Sequence, residues 1–221
     1  MLACAGFREE ATAESVTHGP AGTLEGATGR DGVLQLRASG GAAAFSFQAW
    51  FTSLALWRDD PAGRITPETD GLVGGRWRGT LAPTGSARVD VRPFMPPSVL
   101  LAADLSDLFD DFFPPLPDSS IAPGGRTERA GIEFSREPDS TGAEGPLARY
   151  RWREDYYQTA DDGERGEQVR EEGWMAWHPE RGPLAWRRVV QVVTVVQRAG
   201  SPPVESRVEQ VITVVRVPAD C

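Results

Sequence analysis

Residues 189–196 read VVQVVTVV, and residues 208–215, 19 positions further on, read VEQVITVV. Neither run has the polar-out, apolar-in alternation of a strand with one face in water. Folded as a hairpin about Gly200-Ser201, the pair would set Val189, Val193 and Val195 beside Val208, Ile212 and Val214 on one face. The other face would carry Val190, Val192 and Val196 with Val211 and Val215. Both faces are then mostly β-branched hydrocarbon. Burying each valine is worth about 1.5–3 kcal/mol, and a wet β-branched run of low charge is an aggregation hazard. The hairpin is therefore expected to be covered on both faces. Arg187, Arg188, Arg198, Arg207 and Arg216 bracket the runs as gatekeepers would. Three covers would serve: the chain's own helix and first sheet half, an apolar lipid-like ligand, or a docked protein. Val189, Val193, Val195, Val208, Ile212 and Val214 make up the candidate apolar binding or docking face.

Working outward, the chain from residue 31 reads mostly as strands. Val33 to Leu36 is short and apolar, and residues 43–57 (AAFSFQAWFTSLALW) alternate Phe45, Phe47, Ala49 and Phe51 against Ser46, Gln48 and Trp50. Further strands are expected at 73–82, 86–92, 127–135, 147–159, 167–178, 184–198 and 203–217. Turn residues separate them, among them Pro83-Thr84-Gly85, Asp161-Asp162-Gly163 and Gly200-Ser201-Pro202. Strand after strand through short turns implies an antiparallel meander. Residues 98–113 (SVLLAADLSDLFDDFF) break the pattern. Leu101, Leu105, Leu108, Phe109 and Phe112 recur at helical spacing, with Asp104, Asp107 and Asp111 on the other side and Ser98 as N-cap. The fold class is mainly β: a single curved antiparallel sheet or half-barrel of about nine or ten strands, with one amphipathic helix over 98–113. Residues 1–30 read as an N-terminal tether, rich in Ala, Gly, Thr and Glu over 5–30 and with room for one strand at 11–17, and 31–221 as one β-rich domain.

The net charge is −9. A nucleic-acid partner needs a basic stripe to displace counterions, so none is expected. The chain has no Lys and no Asn, which removes Schiff-base chemistry and N-glycosylation acceptors. No stretch reaches the ~18 consecutive apolar residues of a membrane span. The aspartates 104, 107, 110 and 111 lie along one helix rather than on a cation-binding loop. His178, in GWMAWHPERG, has no cysteine or second histidine at ligand spacing and reads as a strand-end histidine packed on tryptophans. There is no GxSxG elbow, P-loop or dinucleotide fingerprint. No catalytic residue, metal ligand or cofactor site is assigned.

The two cysteines are Cys4 and Cys221. MLACAG, residues 1–6, resembles the tail of a bacterial lipobox, in which Cys4 would be the acylated mature N-terminus; the charged and apolar regions of a signal peptide are missing. The readings left open for Cys4 are an acylated, a free or a disulfide-linked thiol. The layout of curved sheet plus helix resembles the half-barrel class of outer-membrane lipoprotein carriers. Phe112-Phe113-Pro114-Pro115-Leu116-Pro117 through Ala122-Pro123-Gly124-Gly125 is also similar to a segment of exported bacterial proteins, although Arg126-Thr127 stand where an aromatic commonly follows. The resemblance implies a non-enzymatic periplasmic or outer-envelope lipoprotein, anchored through Cys4 and binding an apolar or lipid-like ligand. The alternative is an accessory subunit docked on a membrane protein complex.

Overall fold

The computed structural model describes residues 3–40, 44–103, 105, 108–142, 145–160, 164–197 and 200–220. Asp104, Asp107, the Asp161–Gly163 turn, Cys221 and the first two residues of the lipobox-like start lie outside the described residues. The strands are β1 (Ala3–Gly19), β2 (Gly22–Gly40), β3 (Phe45–Asp60), β4 (Gly63–Ile65), β5 (Trp77–Leu81) and β6 (Ala87–Val91). After two helical turns, α1 (Pro97–Ala102) and α2 (Leu108–Phe112), come β7 (Arg126–Arg129), β8 (Ile132–Arg136), β9 (Ser140–Gly142), β10 (Gly145–Thr159), β11 (Arg165–His178), β12 (Gly182–Val196) and β13 (Val204–Val217). They form one antiparallel sheet in the order β6-β5-β3-β2-β1-β13-β12-β11-β10-β8-β7, with β4 beside β3 and β9 beside β10. The sheet does not close into a barrel. The meander is as expected, but there are 13 strands rather than nine or ten.

The difference lies chiefly at the N-terminus. Residues expected to form a tether make up β1 and the first half of β2: β1 pairs with β13 from Gly6 opposite Val217 to His18 opposite Glu205, and with β2 along its length. Their small side chains, which look like linker composition, suit close packing. A Cβ placed on Gly29 would lie 2.3 Å from the Trp57 indole, so this strand can pass beneath that ring only as glycine.

Directly opposed residues share a face, so the register defines cross-strand rows. One row of the inner face runs Leu54, Gly32, Glu9, Val214, Trp186, Met175, Tyr150. The next runs Leu56, Arg30, Ala11, Ile212, Arg188, Gly173, Trp152, Phe134. Segment 95–121 plugs this half of the inner face. Phe112 meets Phe7 and Trp186 edge-on at 5.6 and 5.4 Å, and Phe109 meets Phe47 at 5.0 Å and Trp77 at 6.1 Å. Each such pair adds about 0.5–1.5 kcal/mol beyond area burial. The Leu116 N–H donates to Thr84 O at 2.9 Å and ties the plug to the β5–β6 turn. That turn shares a small cavity with side chains of β10, β11 and β12, so the sheet bends around the plug.

The plug is two short turns rather than one helix over 98–113. Ala103 is extended (φ −151, ψ 140), and α1 begins after Pro96 with no side-chain cap, so Ser98 is not its N-cap. The kink shifts the apolar phase. Leu105, Leu108, Phe109 and Phe112 are buried as their spacing implies, but Val99 and Ala102 are buried in α1 while Leu101 is 63% exposed. Phe112→Ala is expected to cost about 3–5 kcal/mol, whereas Leu101→Ala stays within about 0.5 kcal/mol. Urea midpoints of the two variants check this.

Candidate functional site

The plug covers only half of the inner face. Toward the turns at 20–21 and 61–62 the rows continue without a cover among the described residues. One runs Ala13, Gln210, Val190 and on to Glu171 and Glu154, which the plug tip and the β5–β6 turn still reach, and the next runs Gly26, Ser15, Val208, Val192, Val169, Tyr156. The valines are half-buried and Tyr156 is 41% exposed. Strands lie ~4.8 Å apart, so six residues across the sheet span about 24 Å. Where these rows meet α1 there is a groove of about 770 Å3, floored by Ala11, Ala13, Ser15 and Thr28 and walled by Leu24, Leu100 and Leu101. Leu24, Leu100 and Leu101 are exposed. Small floor residues make the groove deep, and large apolar residues stand at its rim.

Two buried ion pairs mark the border between plugged and open halves. Glu9, fully buried, accepts from Arg30 Nε at 2.8 Å and Nη2 at 2.7 Å, a bidentate fork. Glu171 accepts from Trp152 Nε1 at 2.8 Å and from Arg188 Nη2 at 2.6 Å. A charge in this setting is tolerated because it is paired and hydrogen-bonded. Among the described residues no group of three or more His, Cys, Asp or Glu is placed to hold a metal ion. His178 is buried, and its Nδ1 accepts from the backbone N–H of Glu180 at 3.1 Å and of Arg181 at 3.3 Å. It braces the β11–β12 turn.

The structure splits the six residues of the expected apolar face. Val196 stands opposite Val204, which centres the hairpin on Gly200 instead of between Gly200 and Ser201. That one-residue slip exchanges faces. Val189, Val193 and Val195 point outward with Val211 and Val215, while Val208, Ile212 and Val214 point inward. Ile212 and Val214 are fully buried beneath the plug, and Val208 alone of the six lies in the open rows. Val190 and Val192, expected on the face opposite Val208, line those rows beside it through the same slip, and Val169 and Tyr156 join them from β11 and β10. Nor is the hairpin covered on both faces. Outward Val195 and Val215 are 38% and 47% exposed, between the exposed Arg187, Gln191, Arg207 and Glu209. The aliphatic stems of those long neighbours shade the valines in place of a second layer.

Cys4 lies on the outer side of β1 and is disulfide-bonded. The chain's other cysteine is Cys221. Residues 218–220 run as a strap across β1. A Cβ on Gly6 would lie 2.5 Å from Pro218 O, and the Asp220 N–H donates to Gln35 Oε1 at 2.9 Å. A sulfur held in a disulfide is not open to acylation, so the disulfide-linked reading of Cys4 is the one this geometry fits. No helix among the described residues is long and apolar enough to cross a membrane.

No protein-family model matches the chain, and no curated protein matches it. Intact mass of the native protein is expected to fall below that of the reduced chain by the hydrogens lost on oxidation, with no acyl adduct. Cys4→Ser should lower stability by about 2–4 kcal/mol, read as a shift in the urea midpoint under oxidising conditions.

Proposed function

We propose that this protein is a non-enzymatic binding protein of the cell envelope that holds an apolar, lipid-like chain along the uncovered inner-face rows. The observation that carries the reading is the half-plugged inner face, whose open part is lined by Val190, Val192, Val169, Val208 and Tyr156. The sheet spends the aromatic plug on one half and leaves hydrocarbon uncovered on the other, which is the usual mark of a binding surface. The disulfide at Cys4 supports an oxidising compartment, since such bonds are rare in a reducing cytosol. The likeness in layout to the half-barrel lipoprotein carriers agrees with this reading, without a lipid anchor on Cys4.

A second reading, an accessory subunit docked on a membrane complex, is favoured by Phe94 and Val91, which are 80% and 50% exposed at the β6 edge. Titration with a fluorescent fatty-acid probe separates the two. Saturable binding is expected for the wild type and is expected to weaken at least tenfold, about 1.4 kcal/mol, in Val192→Glu, which puts a charge in the open rows. Val193→Glu changes the neighbouring residue on the outer face and should bind the probe as the wild type does. Absence of saturable binding in the wild type, or equal loss in both variants, removes the ligand reading.

A further inference from the structure

Glu154 and Glu171 stand directly opposite each other across β10 and β11 on the inner face. Like charges so placed destabilise a sheet. Glu171 is satisfied by Trp152 and Arg188, but Glu154 makes no hydrogen bond or ion pair among the described residues. Its carboxyl lines a cavity of about 210 Å3 that reaches to Arg129 and Ile132. Over that cavity lie the plug tip, Phe113 and Pro115, and the turn Thr84–Ser86, none of them charged. The roof is held to the turn by the bond from Leu116 N–H to Thr84 O. A half-buried carboxylate thus sits beneath an apolar roof, facing another carboxylate, and the countercharge that bears on it, Arg188, is already ion-paired with Glu171.

We propose that the roof is a pH-sensitive seat: with Glu154 protonated, segment 113–116 closes onto turn 84–86, and with Glu154 ionised it lifts to admit water. The groups facing Glu154 are few. From β11 come Glu171 and, further along, Glu167; from β12, Arg188; from β10 itself, Tyr156; and from the end of β7, Arg129, which is ion-paired with Asp118 at 3.3 Å. The turn and the plug tip bring no titratable group. Burial, then Glu171, pushes the Glu154 carboxyl up from its ordinary 4.5, and Arg188 draws it part of the way back. A carboxyl raised by folding favours the closed form fully below its ordinary value, and that contribution is lost as the pH rises through the raised value. The seat is therefore tight in acid and loose near neutrality. Because Glu154 ends the row that holds Val190, lifting the roof lengthens the uncovered surface toward β8. The inference stands whether or not an apolar chain occupies that surface.

The Leu116 amide is the reporter, since its hydrogen bond is the roof's tie. Its exchange, corrected for intrinsic rate, is followed by NMR on the full-length oxidised protein between pH about 4.5 and about 7. Protection of Leu116 is expected to fall across this range in the wild type and to stay level in Glu154→Gln. The Ala103 amide, bonded to Val99 O at 2.9 Å within the plug, serves as the control for global opening. Level protection of wild-type Leu116, an equal fall in Glu154→Gln, or a parallel fall at Ala103 overturns the proposal.

Discussion

The pairing of the first strand with the last holds the molecule together. β6 through β1 form one meander, β7 through β13 another, and the β1–β13 ladder is the single seam that makes them one sheet. The core is organised across that seam. Phe7 on β1 and Trp186 on β12 meet at 5.3 Å, and Phe112 of the plug touches both. The buried Glu9–Arg30 fork lies beside the seam, where removing either partner would strand a charge. The C-terminal strap then crosses the outer side of β1 at Gly6 and fastens to Gln35.

From the seam follows the asymmetry of the inner face. The plug must bridge both meanders to exclude water from the aromatic cluster, and α1 and α2 are each barely more than a turn. So short a segment cannot line strands of 14 to 19 residues from end to end. What remains uncovered is hydrocarbon on β11, β12 and β13 and a floor of Ala, Ser, Thr and Gly on β1 and β2. The outer face is different in kind. There Arg8, Glu10, Thr12 and Glu14 on β1, and Arg187 and Gln191 on β12, present an ordinary solvated surface around a few valines.

Strands such as β3, β5 and β10 to β13 were legible because alternation and turn residues coincide in them. Phe45, Phe47, Ala49 and Phe51 announce β3, and Pro179 to Pro183 announce the β11–β12 turn. The length of β1 and the first half of β2 were illegible for a physical reason, although Val33 to Leu36 marked the second half of β2. Ala11, Ala13, Ser15 and Gly26 are small because they floor a groove, and smallness in a single sequence looks like a linker. The valine hairpin was recognised, yet its faces were exchanged, because loop length alone cannot distinguish a hairpin centred on Gly200 from one centred half a residue later. The plug was found by its periodicity, but its kink at Ala103 has no proline or glycine to announce it. The break is imposed by tertiary packing, which leaves Leu101 exposed although Leu105, four residues on and on the same face of a straight helix, is buried.

The seam also bears on how the molecule comes to be. Across the seam Gly6 pairs with Val217 and His18 with Glu205, so the central ladder cannot begin until β13 has been made. Contacts so distant in sequence make for slow maturation, on the order of milliseconds to seconds. Until then the two meanders are separate, each ending in an unpaired strand open to misassociation. The central ladder is thus the last part of the sheet to close, after the strands on both sides of it have been made.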